Sequence, residues 1–294
     1  MVSEEAKTVR EALLWAASCL REKGIENARL EAEVLLSKIL GMNRGKLLAS
    51  LGDPLEKGEF LRFRELVAKR QKGYPLQYIT GEQEFMSMNF LVEEGVFIPR
   101  GDTEVLVEAV LGLGEKFENI LDVGTGSGII AVILAKYFPQ SRVTAVDISP
   151  RALETAAKNA EGHGVKDRIN FTQNDIFLWQ PGEQYDLIVS NPPYVPSGDI
   201  DRLQREISFE PREALDGGYE GLRFYYRLSE LALECLLPGG VLAVEIGWDQ
   251  AAGVRRIFDG AGIFDKEIQV VRDYGGRDRV VVCRKSVKNA GGSG

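Results

Sequence analysis

The run LDVGTGSG, Leu121 to Gly128, constrains this chain more than any other stretch. An apolar segment, NILDV, leads into it and a helix-forming one, IIAVILAKY, leaves it. Three glycines at alternate positions let backbone approach a ligand with no Cβ in the way, and a helix beginning behind them offers unpaired N–H groups. Strand, glycine turn and helix in that order predict a nucleotide-like ligand at the turn. The spacing is GxGxG, not the GxGxxG of dinucleotide-binding sheets, which argues against a nicotinamide cofactor.

Strand-like and helix-like segments alternate on both sides of this turn. Helices are predicted over Thr103–Leu113, Ser127–Phe138, Pro150–His163, Tyr219–Leu236 and Asp249–Phe258. Strands are predicted over Asn119–Val123, Arg142–Asp147, Ile169–Gln173, Asp186–Asn191 and Gly240–Ile246. That alternation specifies an α/β fold with a doubly wound parallel sheet. Near the end, Glu267–Asp273 and Arg279–Arg284 are both β-like and only the turn Tyr274–Asp278 separates them, so they are expected to pair as an antiparallel hairpin.

The first 72 residues read differently. Thr8 and Glu11 have capping-box spacing, Leu13, Leu14, Ala17 and Leu20 recur at helical intervals, and Gly24 supplies a stop. Two further amphipathic stretches follow, one with Leu30, Val34, Leu35, Ile39 and Leu40 and one with Phe60, Phe63, Leu66 and Val67. We expect a small helical bundle over residues 1–82 that recognises the substrate, a hairpin connector over 83–102, a catalytic domain over 103–285 and a flexible tail over 286–294.

Composition removes several classes of function. The net charge is −8, and it divides unevenly: residues 1–80 hold 14 basic against 11 acidic side chains, leaving 22 against 33 for the remainder. An acidic main body lacks the basic face that clamps duplex DNA, so no stable nucleic-acid binding is expected. With one histidine, His163, a histidine-cluster metal site is excluded, and that residue, in the polar stretch EGHGVKD, is expected at the surface. Cys19, Cys235 and Cys283 fit no CxxC spacing and are expected to be buried free thiols. The longest apolar run, Ile129 to Ala135, is far below the ~20 residues of a membrane helix, and the first residues do not resemble a secretory signal. A cytoplasmic protein is expected.

The ends of the strands carry the chemistry. Asp147 lies 19 positions after Gly128, at the tip of RVTAVD, where a carboxylate can accept from both hydroxyls of a ribose. Asn174-Asp175 follows the next strand, so Asp175 can receive an adenine amino group while Ile176 and Phe177 offer apolar contact. Asn191-Pro192-Pro193-Tyr194 follows DLIVS directly. Its prolines stiffen the backbone and hold the Pro192 carbonyl out as an acceptor. The Asn191 side-chain oxygen is a second acceptor beside it, so the pair can hold both hydrogens of a planar NH₂ while Tyr194 stacks on its face.

LDVGTGSG, AVD and NPPY in this order resemble class I S-adenosylmethionine-dependent methyltransferases that act on planar nitrogens. PLQYITGEQEF (Pro75 to Phe85), FIPRGDTE (Phe97 to Glu104) and EPREALDGG (Glu210 to Gly218) narrow the resemblance to the peptide chain release factor glutamine N5-methyltransferase family, also called HemK. The likeness runs from the helical front to about Lys285. It departs in FIPRGDTE, where relatives more commonly carry Pro followed by an acidic residue after Arg100, a change expected to affect helix capping rather than chemistry, and at Ile176, where they often place an aromatic beside the adenine.

This resemblance implies a Rossmann-like methyltransferase sheet and S-adenosylmethionine as methyl donor, converted to S-adenosylhomocysteine. It implies that Gly124, Thr125, Gly126, Ser127 and Gly128 cradle the methionine and ribose, that Asp147 binds the ribose diol, and that Asp175 and Ile176 border the adenine. Asn191, Pro192, Pro193 and Tyr194 would hold the substrate glutamine, with Asn191 also against the cofactor and Asn191, Pro192 and Tyr194 as the catalytic group. The implied partner is the Gly-Gly-Gln loop of a release factor. Two alternatives share these motifs: a glutamine methyltransferase acting on a ribosomal protein and an adenine-N6 DNA methyltransferase. The second needs a basic cleft to flip out its base.

Overall fold

The computed structural model describes residues 8–287, so residues 288–294 of the expected tail lie outside the described residues. The chain divides into two compact units, one reaching to Glu82 and including Gln204–Phe209, the other comprising Gln83–Leu203 and Glu210 onward.

The first unit is helical: α1 (Val9–Arg21), α2 (Ala28–Leu40), α3 (Arg44–Ala49), α4 (Lys57–Gln71) and α5 (Leu76–Thr80). Thr8 and Glu11 form the anticipated reciprocal cap. Leu13, Ala16 and Leu20 of α1 meet Leu35, Leu36, Phe63 and Val67 in one core, and Trp15 sets its ring edge-on to Phe60 at 5.4 Å. Helix α3 escapes sequence periodicity because it is one short turn started by Asn43, whose side chain accepts from the Lys46 amide at 2.9 Å. Arg70, 3% exposed, donates to Glu31 at 2.5 Å and to Glu206, which lies 136 positions downstream. Tyr74 meets Phe209 edge-on at 5.2 Å. A segment encoded far along the chain thus completes this unit.

The second unit opens with a hairpin, β1 (Glu82–Phe85) and β2 (Met88–Leu91). Its two-residue turn places Met86 and Ser87 in left-handed backbone, φ 49° and 59°, the conformation that matches the twist of paired strands. There follow α6 (Thr103–Gly112), β3 (Asn119–Val123), α7 (Ile129–Tyr137), β4 (Arg142–Asp147), α8 (Pro150–Gly162), β5 (Ile169–Gln173), β6 (Tyr185–Ser190), α9 (Arg223–Cys235), β7 (Leu236–Glu245), α10 (Ala251–Ala261), β8 (Gln269–Arg272) and β9 (Asp278–Arg284). The strand order is β5-β4-β3-β6-β7-β9-β8. The first five strands run parallel, and β9 lies antiparallel between β7 and β8, as the hairpin reading requires.

One sheet face packs on α6, α7 and α8 and the other on α9 and α10. Helix α7, apolar all round, is buried over Ile129–Ala135. No helix among the described residues is long and apolar enough to cross a membrane.

Two expectations need correction. His163 is not a free surface residue: it is half-buried, its Nε2 lies 2.9 Å from the Asn89 carbonyl, and its ring centroid stands 4.5 Å from that of Phe90. The hairpin covers it, a tertiary contact that the polar flanks of His163 conceal. The helix expected from Tyr219 starts only at Arg223, because Gly221 adopts φ +72° in a turn whose amide bonds the Gly218 carbonyl. Cys235 and Cys283 are buried free thiols, whereas Cys19 is half-buried.

Candidate active site

Register assembles the site. Val123 pairs with Val146 on one side and with Ser190 on the other, and Asp147 pairs with Gln173. The glycine turn, Asp147, Asn174-Asp175 and Asn191 therefore all leave the sheet at its carboxyl edge, where ligands bind in open α/β sheets. The buried Ser190 hydroxyl donates to the Val123 carbonyl at 2.8 Å, pinning the residue before Asn191 to the residue before Gly124.

The three glycines of the turn all have positive φ but serve different ends. Gly124 (φ +70°) and Gly126 (φ +55°) have open space where a Cβ would stand. A Cβ at Gly128 would lie 2.6 Å from that of Ala156, so this glycine permits close packing of α8. The Gly124 and Thr125 amides both donate to the Val146 carbonyl, at 2.8 and 3.0 Å. Ser127 is buried and its hydroxyl has no hydrogen-bond partner among the described residues. Beneath the turn, Asp122 accepts from the Thr125 hydroxyl at 2.6 Å, and burial pushes its carboxyl up to about 7. No hydrogen bond among the described residues reaches its Oδ1, though the Ala131 amide favours its charged form.

Asp147 joins the turn to the second strand. Its Oδ2 accepts from the Gly126 amide and its Oδ1 from the Ser149 amide, each at 2.9 Å. Burial raises its pKa, and these amides oppose the rise by favouring the charged form. Ser149 caps α8 by accepting from the Ala152 amide at 3.2 Å, so Asp147 is not needed as the cap. The Asn174 amide donates to the Asp147 carbonyl at 3.0 Å, which brings Asp175 alongside. Asp175 Oδ1 accepts from the Phe177 amide at 3.0 Å, and Ile176 is only 7% exposed among the core residues of the α9/α10 face.

In NPPY, Pro192 is buried and Asn191, Pro193 and Tyr194 are half-buried. Asn191 Nδ2 donates to the Thr103 hydroxyl at 3.1 Å, which turns the side-chain oxygen away from Thr103. The Tyr194 hydroxyl makes a long contact, 3.4 Å, to Glu245 Oε1, and burial raises its pKa.

The stretch containing EPREALDGG is laid along this turn. Val195 exchanges backbone bonds with Leu215 and Gly217, at 2.9 and 2.8 Å. A Cβ at Gly217 would stand 2.8 Å from both the Pro193 carbonyl oxygen and the Tyr194 Cα, and one at Gly221 2.2 Å from the Tyr194 carbonyl oxygen. That carbonyl accepts from Gln250 Nε2 at 2.9 Å. Glu210, also of this stretch, accepts from the Ile98 amide at 3.0 Å and pairs with Arg100. Two motifs distant in sequence, FIPRGDTE and EPREALDGG, are thus joined beside NPPY. Asp102, ahead of α6, makes no side-chain cap and instead pairs with Arg279 at 3.0 Å.

Sequence reasoning missed Asp122, Thr103, Glu245 and Gln250. The first and third carried a readable signal: each is a charged residue inside an apolar strand, at a position alternating onto a buried face. Thr103 and Gln250 carried none, being ordinary polar residues at helix starts.

Residues 11–81 match the family described as PrmC N-terminal domain, and residues 87–218 that described as Methyltransferase small domain. The chain is 46% identical over 278 residues to the release factor glutamine methyltransferase of Geobacter sulfurreducens, covering 94% of this chain and 96% of that one. It is 40% identical over 300 residues to the release factor glutamine methyltransferase of Bacillus subtilis, covering 96% and 99%. A solved protein-(glutamine-N5) methyltransferase (release factor-specific) from Alicyclobacillus acidocaldarius is 31% identical, with a TM-score of 0.41 over 67% of this chain and 99% of that one.

Proposed function

The chain belongs to the release factor glutamine methyltransferase family, and on that premise we propose that it moves a methyl group from S-adenosylmethionine to the side-chain amide nitrogen of the glutamine in the Gly-Gly-Gln loop of peptide chain release factors. The observation that carries this reading is the pairing of Val123 with Ser190. It sets the glycine turn, built for a nucleotide-like ligand, beside Asn191, built to hold an amide.

The residues present fit S-adenosylmethionine. Gly124 and Gly126 leave room for it, the unpartnered Ser127 hydroxyl and the Asp147 carboxylate offer it hydrogen bonds, and Asp175 and Ile176 lie beside Asp147 for the adenine. When bound, this cofactor supplies a sulfonium methyl group.

The protein's own part is to prepare the nitrogen. An amide lone pair is delocalised into its carbonyl and is a poor nucleophile. Asn191 Oδ1 and the Pro192 carbonyl accept from the two N–H bonds, draw the lone pair toward nitrogen and aim it along the line of attack. The nitrogen, on taking up the methyl group that the cofactor would supply, would have to give up one of the two protons held at Asn191 Oδ1 and the Pro192 carbonyl. Tyr194 stacks on the amide and keeps it planar to the acceptors.

We assign recognition of the folded factor to the helical unit, because a pocket for one side chain cannot distinguish whole proteins. The place of work is the cytoplasm, where release factors act. The test is incubation with methyl-labelled S-adenosylmethionine and, separately, a release factor, a ribosomal protein and unmethylated duplex DNA. Label on the Gly-Gly-Gln glutamine is expected. Label confined to the ribosomal protein or to DNA overturns the reading.

A further inference from the structure

Pro192 and Pro193 have no N–H, so the middle of the turn Asn191–Tyr194 cannot be fixed by donating to a neighbour. The turn is held from its ends. At one end Asn191 Nδ2 donates to the Thr103 hydroxyl at 3.1 Å, and at the other the Tyr194 carbonyl accepts from Gln250 Nε2 at 2.9 Å. Gln250 is buried, and the reaction proposed above gives it no part.

Gln250 is itself fixed at both ends. It stands just ahead of α10, where its backbone amide donates to the Gly247 carbonyl at 2.9 Å and its backbone carbonyl accepts from the Val254 amide at 3.0 Å. Its side-chain Oε1 accepts from the Gly247 amide at 2.9 Å. The Tyr225 hydroxyl, which donates to the Glu245 backbone carbonyl at 3.0 Å, stands 3.3 Å from the same Oε1. Besides Tyr194, Nε2 donates to the Gly221 carbonyl at 3.3 Å.

These partners admit one orientation of the amide. Its NH₂ end, with two protons to give, faces two carbonyls, and its oxygen faces an N–H. Reversed, it would set oxygen against two oxygens and NH₂ against a donor. The surroundings leave the turn no slack either: a Cβ at Gly221 would lie 2.2 Å from the Tyr194 carbonyl oxygen and 2.5 Å from Gln250 Nε2, and one at Gly217 would lie 2.8 Å from the Tyr194 Cα. The Tyr194 carbonyl is therefore gripped by a directed donor and walled by chain that only glycine lets pass so closely.

We propose that Gln250 is a positioning residue for the acceptor amide: its bond to the Tyr194 carbonyl sets the exit of the turn, and through the two stiff proline units it sets the direction of the Pro192 carbonyl and the place of the Tyr194 ring. Gln250 acts only through that turn and touches no reacting atom. The proposal rests on the methyltransferase reading for its consequence in turnover, whereas the clamp itself is a property of this chain alone.

Two readouts test it, with Tyr225→Phe as the control for stability. Gln250→Met keeps the length of the side chain but can neither donate nor accept as an amide does. Gln250→Glu keeps the shape and the oxygen at Gly247 but loses the NH₂ end, and it carries the same test if the methionine variant does not fold. In protein labelled with ¹³C at the tyrosine carbonyls, the Tyr194 signal is identified by its loss in Tyr194→Phe. It is expected to move in both Gln250 variants and to stay in Tyr225→Phe, which removes a hydroxyl from the same network but not the donor to Tyr194. In turnover on a release factor, each Gln250 variant is expected to lower kcat about tenfold or more with S-adenosylmethionine affinity within about twofold, while Tyr225→Phe keeps kcat within about threefold even where its melting temperature falls as far. An unmoved Tyr194 signal, wild-type kcat in a folded Gln250 variant, or a loss of kcat in Tyr225→Phe equal to that in Gln250→Met overturns the proposal. A wild-type protein that methylates no glutamine, yet shows the expected movement of the Tyr194 signal, overturns the functional reading and leaves the clamp standing.

Discussion

The Gly126 amide donates to Asp147 Oδ2 at 2.9 Å, so one carboxylate both shapes the glycine turn and stands at the tip of the second strand. A second lone pair on each Asp147 oxygen stays available beyond the bonds to Gly126 and Ser149. The residue therefore ties the form of the turn to the end of the second strand.

Asp147→Ala is expected to weaken S-adenosylmethionine binding by about 1–3 kcal/mol, because a charged acceptor is lost from a partly buried place. Calorimetry measures this directly. Unchanged affinity removes Asp147 from the ribose site, and NAD binding as tight as that of S-adenosylmethionine removes the methyltransferase assignment of the turn.

Asn191→Ala should abolish most turnover and spare most of the cofactor affinity, since the side chain is proposed to orient the acceptor and not the donor. His163→Ala should leave turnover intact, its ring being spent on the hairpin at Asn89 and Phe90. A methylation assay with the opposite ranking reverses the mechanism.

The glycines predict a division between binding and folding. Gly126→Ala introduces a methyl group into open space, so its main cost beyond about 1 kcal/mol of backbone strain should fall on cofactor affinity. Gly128→Ala drives a methyl group into Ala156 and should destabilise the fold by roughly 1–3 kcal/mol. Thermal melts with and without S-adenosylmethionine separate the two, and a Gly128→Ala protein as stable as wild type contradicts the packing.

Asp122 should make stability depend on pH. Burial lifts its carboxyl from an ordinary 3.8 to about 7, so the folded state keeps a proton that the unfolded chain has released. The native state then binds more protons across that interval, and stability falls as pH rises from about 4 to about 7, by at most about 1.4 kcal/mol per pH unit. Glu245, also raised to about 7 by burial, acts in the same window. Asp122→Asn should flatten the slope without abolishing it, as read from melting temperatures between pH 5 and 7.5. An unchanged slope would falsify the buried-carboxyl account.

Removal of residues 1–72 should leave cofactor binding in place while methylation of an intact release factor falls sharply. A short Gly-Gly-Gln peptide, which needs no recognition at a distance, should lose far less. Equal rates on the intact factor before and after truncation remove the recognition role of the helical unit.

Some of these features were legible in the sequence for simple reasons. β3 and β4 are short and largely apolar, β5 alternates apolar and polar residues, turn residues mark their boundaries, and their predicted spans coincide with the observed ones. Helix α1 declared its own start through Thr8 and Glu11. Segments that depend on distant partners were not legible. The path from Val195 to Leu222 has no periodicity because its backbone bonds run to itself across the turn, and Gln204–Phe209 leaves the sheet unit to pair with Arg70 and Tyr74.

The sequence alone determined the strand–turn–helix at Leu121–Gly128, the order of the strands along the chain and the residue types at their carboxyl ends, because alternation, helical period and capping are local properties. Tertiary structure decided what those residues face. It distinguished Gly128, which makes room for α8, from Gly124 and Gly126, which stand against open space. It brought Thr103 against Asn191 and Tyr194 against Glu245, each pair from segments far apart in the chain. The direction of a hydrogen bond depends on every group that competes for the same proton, and those groups meet only when the chain has folded.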